Sequence, residues 1–139
     1  SSLRSSPMLQ ALVVNMKIEQ AIQEAFFTDG LAPTDDEFIE ANTDVTWQNE
    51  RTDLMNLVPS YMLWCARNRD TNGNLVIDGT VNALAEYGRS KNPNIEHLNF
   101  KFLCNSKQKS VVLKFLQWCL TEELLVNEVQ VQRACKHWG

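Results

Sequence analysis

Apolar residues recur at three- and four-residue spacings along most of this chain, a pattern that predicts helices rather than strands. Ala11, Val14, Ile18, Ile22 and Ala25 form one such stripe. Ser6-Pro7 opens it well, because a hydroxyl can cap the first free N–H groups and proline has none to satisfy. Asp29-Gly30 predicts its end, since glycine accepts the left-handed conformation a helix terminus favours. Thr34-Asp35-Asp36-Glu37 has the form of a capping box opening a second helix through Phe38 and Ile39. From Thr52-Asp53 a third run carries Leu54, Met55, Leu57, Val58, Tyr61, Met62, Trp64 and Cys65. Pro59 is expected to kink or divide it, because proline lacks the N–H and crowds the preceding turn.

Asp70-Thr71-Asn72-Gly73-Asn74 reads as a turn, and Leu75 to Ile77 as a brief extended piece. Val81, Leu84 and Tyr87 predict a short helix stopping at Gly88, followed by a loop over Arg89 to Asn94 that carries Pro93. Ile95, Leu98 and Phe102 mark a further helix. Val111 to Leu120, with Phe115, Leu116 and Trp118, marks a strongly apolar one. Val131, Ala134, Cys135 and Trp138 mark the last. The expectation is an all-α, single orthogonal domain over residues 1–139 with about six or seven helices, and with Trp64 and Trp118 in its core. No internal repeat, low-complexity stretch or linker interrupts it.

Bulk composition agrees. A chain of 139 residues, 44% apolar and 22% charged, can bury a core without metal or disulfide staples. No apolar run approaches the ~18 residues of a membrane span. Ser1-Ser2-Leu3-Arg4 lacks the apolar stretch of a signal peptide and reads as a remnant of processing or cloning. A cytoplasmic location is therefore expected, with Cys65, Cys104, Cys119 and Cys135 reduced and partly buried.

Charge changes the picture more than its net of −4 suggests. Residues 19–54 hold ten acids and only Arg51 as a base, a net of −9. Residues 89–114 hold Arg89, Lys91, Lys101, Lys107, Lys109 and Lys114 against Glu96, a net of +5. Three readings fit this segregation: two unlike solvated surfaces, head-to-tail self-association, or a polyanion on the basic half.

Catalytic chemistry has little to work with. Two histidines, His97 and His137, limit acid–base catalysis, and Glu96 beside His97 on a helix would not face it. No GxSxG, phosphate-loop, HExxH or dinucleotide fingerprint occurs. The expectation is a non-enzyme without cofactor. Cys135-x-His137 is the only close cysteine–histidine pair, and its spacing is not that of a zinc site. The stretch Asp70 to Val81 places oxygens at positions one, three, five and nine of a calcium loop (Asp70, Asn72, Asn74, Asp78). Leu75 stands where the turn needs glycine, and Val81 where it needs a bidentate glutamate. A polar turn is the better reading, and a degenerate EF-hand-like domain the remotest one.

Several short motifs resemble the coat proteins of flexuous filamentous plant viruses of the potyvirus type. They are Pro7-Met8 with Val14-Asn15-Met16, Thr34 to Phe38 with Val45, and Met62-Leu63-Trp64-Cys65-Ala66-Arg67-Asn68. Asn72-Gly73 through Asp78-Gly79, Tyr87-Gly88-Arg89-Ser90-Lys91-Asn92, Phe100-Lys101-Phe102 and Asn105-Ser106-Lys107 follow in the family's order. Two departures stand out. A stretch of helix between Gly79 and Tyr87, with an arginine that pairs with an aspartate in the family, is missing here. Lys101 occupies the aspartate's place. The resemblance implies a filament-forming subunit that packs single-stranded RNA, in virions or host cytoplasm, with Arg89, Lys91, Lys101, Lys107, Lys109 and Lys114 meeting phosphates. The C-terminal third also resembles the second half of a BACK domain, through Phe102-Leu103, Val111-Val112-Leu113, Leu124 to Glu128, Val129, Ala134 and Trp138. That resemblance implies a helical adaptor whose partner is a protein helix.

Overall fold

The computed structural model describes residues 7–27, 33–47, 54–68, 75–121 and 128–139, and side chains within 17–27, 33–46, 54–68, 75–120 and 128–139. Seven α-helices form there: α1 Pro7–Phe26, α2 Asp36–Ala41, α3 Leu54–Arg67, α4 Leu75–Arg89, α5 Phe100–Leu103, α6 Ser106–Thr121 and α7 Glu128–Trp138. Two 3-10 turns, Val45–Trp47 and Glu96–Leu98, complete the regular structure, and no strand occurs among the described residues. The all-α class and helix number expected from periodicity are what the structure has. No described helix is long and apolar enough to cross a membrane.

Five helices close a ring by packing in the order α1, α3, α4, α7, α6 and back to α1. Each turns its apolar face inward, and the buried residues join into one cluster. Ile18, Ile22 and Ala25 are the described part of the α1 stripe, and all are buried. Trp64 and Trp118 are buried as expected, as are Val131, Ala134 and Trp138 on α7. Asp29-Gly30 and Asp70 to Asn74 lie outside the described residues.

Four local expectations are corrected. Pro59 does not divide α3, which runs unbroken for 14 residues, 11 of them buried. Proline removes one backbone hydrogen bond there, and burial on nearly every side outweighs that loss. Thr34 does not cap α2. Asp35 holds that position, with no side-chain bond to the helix. The Thr34 hydroxyl instead donates to Asn56 Oδ1 (3.0 Å), and its N–H donates to Ser60 Oγ (2.8 Å). Leu75 to Ile77 are helical, so Asp78 lies in the first turn of α4 rather than in a loop. Gly79 is helical too, and glycine suits it because another stretch of backbone crosses there. A Cβ on it would overlap the Thr43 carbonyl oxygen. Finally, Ile95, Leu98 and Phe102 do not share one helix. A 3-10 turn and then α5 shift the phase, so that Phe100 is buried and Phe102 is 45% exposed.

Candidate functional site

The C-terminal ends of α1, α4 and α7 converge on α5. Phe100 holds them together, its ring centroid 6.0 Å from that of Phe26, 5.6 Å from Tyr87 and 5.9 Å from Trp138. Such aromatic pairs add ~0.5–1.5 kcal/mol beyond the area they bury. Trp138 Nε1 donates to the Leu84 carbonyl at 2.8 Å, a buried bond that ties the end of α7 onto α4. Gly88 makes this approach possible, since a Cβ there would lie 2.8 Å from His137 Cβ and from Trp138 Nε1. The start of α6 joins the same end. Asn105 Oδ1 accepts from the Gln108 N–H and Gln108 Oε1 accepts from the Asn105 N–H, both at 2.8 Å. This reciprocal cap fixes the helix start, while Gln108 Nε2 donates to the Ala25 carbonyl at the end of α1.

Between these ends lies a cleft of about 400 Å³, lined by Gly88, Arg89, Ser90, Lys91, Lys101, Phe102, Lys109, Lys136 and His137. Five cations line it and no carboxylate does. Part of this charge serves the fold. A helix C-terminus carries roughly half a negative charge, which cations in the last turn offset. Lys101 Nζ donates to the His137 carbonyl at 2.5 Å, satisfying one such free group, and sits 5.8 Å from the Trp138 ring centroid. Arg89 pairs with Glu86 on the exposed side of α4. Lys91, Lys109 and Lys136 have no ion pair among the described residues.

The structure therefore brings Arg89, Lys91, Lys101 and Lys109 together. Lys107 and Lys114 are exposed on α6 but do not line the cleft. Lys136 and His137 join it although they lie outside the basic segment of the sequence. No family model, curated protein or solved structure matches this chain.

The chemistry of the cleft is electrostatic rather than nucleophilic. Cys65, Cys104, Cys119 and Cys135 are free thiols, the first three buried. Burial pushes Cys65 and Cys104 up to about 12, with Lys109 pulling Cys104 the other way, and it raises Cys119 and Cys135 as well. A thiol held protonated is a poor nucleophile. No group of three His, Cys, Asp or Glu side chains able to hold a metal occurs among the described residues. His97 is exposed on its 3-10 turn and does not line the cleft, whereas His137 does.

Proposed function

We propose that this chain is a non-enzymatic assembly protein that holds single-stranded RNA by its phosphates in the cleft between α4, α5, α6 and α7, as its resemblance to potyvirus-type coat proteins implies. The observation that carries this reading is one cleft gathering five cations and no acid from four helix ends. Three of those cations, Lys91, Lys109 and Lys136, have no ion-pair partner among the described residues. The start of α6 gives independent support. Its first turns carry Lys107 and Lys109 and no acid, against the helix dipole, which favours negative charge there. Where a local preference is broken without structural gain, function is the usual reason. An external phosphate would supply the missing negative charge.

Lysines bind phosphate as point charges and read no sequence, so binding should depend strongly on salt. Anisotropy of a labelled single-stranded RNA, followed between ~50 and ~200 mM salt, tests this. Replacing Lys91, Lys109 and Lys136 by Ala should weaken binding and reduce the salt slope by about 2, at ~0.7 per phosphate contact. Lys101 is left unchanged because it also caps α7. Failure of the parent protein to retain RNA at the lowest salt refutes the reading.

Self-association belongs to the same proposal. Asp35, Asp36, Glu37 and Glu40 are exposed on and just before α2, and offer a counterpart to Lys107 and Lys114 of a second copy, which are exposed on α6 outside the cleft. Such a contact is heterologous and propagates rather than closing a dimer. Light scattering should show assemblies at low salt that fall apart as salt rises. A monomer at low salt that retains no RNA would favour the helical adaptor instead.

A further inference from the structure

We propose that Phe102 is a base-stacking residue, so that the cleft takes an unpaired nucleotide with its base against the Phe102 ring and its phosphates on the surrounding lysines. This rests on the cation-binding reading above and adds to it that the cleft holds a base as well as phosphates. Phe102 is 45% exposed and lines the same cleft as Lys91, Lys101, Lys109 and Lys136. The backbone on either side of it is anchored. Phe100 and Cys104 are buried on the opposite side of the α5 turn, and Lys101 between them is anchored on the His137 carbonyl. A phenyl ring on an anchored backbone has only its own two side-chain torsions to lose on binding. An apolar partner surface would have to strip water from several cations to reach this ring, which disfavours a protein helix. A nucleotide avoids that conflict, because it brings a flat π-face for the ring and negative charge for the lysines together. A duplex hides its base faces in its own stack, whereas a single strand offers them.

The test measures binding of a labelled single-stranded uridine oligonucleotide, an RNA duplex of the same length, and inorganic polyphosphate. The proteins are the parent, Phe102→Ala, Phe102→Leu, Phe102→Trp and the Lys91, Lys109 and Lys136 triple alanine variant. Phe102→Ala should weaken single-strand binding roughly 5- to 150-fold, the range for one lost base–aromatic stack. It should leave polyphosphate binding, the salt slope and the melting temperature unchanged. Phe102→Leu keeps apolar bulk without a π-face and should behave like Ala, while Phe102→Trp should bind as the parent does. The parent should prefer single strand to duplex. Equal single-strand binding by the parent, Phe102→Ala and Phe102→Leu overturns stacking, and if the triple variant has meanwhile lost affinity and salt slope, the cation reading stands without it. Absence of binding to any polyanion overturns both.

Discussion

Replacing Gly79 by alanine tests the fold at a point where two backbone segments cross closely. In an open helix this substitution stabilises by ~1 kcal/mol, because glycine is the more flexible residue in the unfolded chain. Here the new Cβ would overlap the Thr43 carbonyl oxygen and lie 3.2 Å from its carbon. The crossing segment has little room to retreat. Val45 is buried, Tyr61 Oη donates to the Asn42 carbonyl at 2.5 Å, and the Thr46 N–H and hydroxyl both donate to Asp44 Oδ1. Overpacking of this kind costs ~1–3 kcal/mol, and a backbone obstacle puts it at the upper end. After the propensity gain, a net loss of about 1–2 kcal/mol remains. For a chain of this length the unfolding entropy makes each kcal/mol worth ~3–4 °C, so the melting temperature should fall by ~3–8 °C. Thermal melts followed by circular dichroism measure this directly. Asn82→Ala, exposed on the same helix, is the control and should be neutral or slightly stabilising. If Gly79→Ala melts at or above the parent, the close crossing of α4 by residues 43–44 is wrong.

Trp64→Ala and Trp118→Ala remove rings only 2% and 4% exposed. Each should destabilise by ~3–5 kcal/mol, read as a shifted denaturant midpoint, and a parent-like midpoint for either would contradict its burial. The thiols give a pH dependence. Cys65 and Cys104 are pushed up to about 12 from an ordinary 9.0, so the folded state holds these protons more tightly than the unfolded one. Their contribution is complete below pH 9.0 and is lost as pH rises from there toward about 12. Replacing Cys65 and Cys104 by Ala should flatten the decline in melting temperature on this alkaline side. Iodoacetamide at mildly alkaline pH should modify the half-buried Cys135 ahead of the other three, and rapid labelling of Cys65 would refute its burial.

The helical class and most of the core were legible in the amino-acid pattern alone. Periodicity along one helix is a local property, and burying one face is the main reason such a helix is stable. Ile18, Ile22, Trp64, Phe115, Leu116, Val131 and Ala134 could therefore be placed inside before any fold was known. The basic character of residues 89–114 was equally legible, because charge counts need no geometry. The reciprocal cap of Asn105 and Gln108 was not anticipated, although a polar residue with glutamine three places on is the signal for it.

Tertiary structure decided the rest, because it depends on contacts between distant segments. Gly88 reads as a helix stop and Gly79 carries no local signal, yet both lie within α4, and what each accommodates is another part of the chain: the end of α7 for one, the Thr43 carbonyl for the other. Thr34 looked like a cap and became a bridge to α3, since its hydroxyl found a better-placed acceptor in Asn56. Phe102 matched an apolar stripe, but the break before α5 rotated it outward and gave Phe100 the buried place. Lys136 reaches the cleft from the last helix, and Lys107 misses it from a position two residues before Lys109. Sequence separation says little about membership of such a cleft, because the ring of helices brings together helix ends that no local pattern connects.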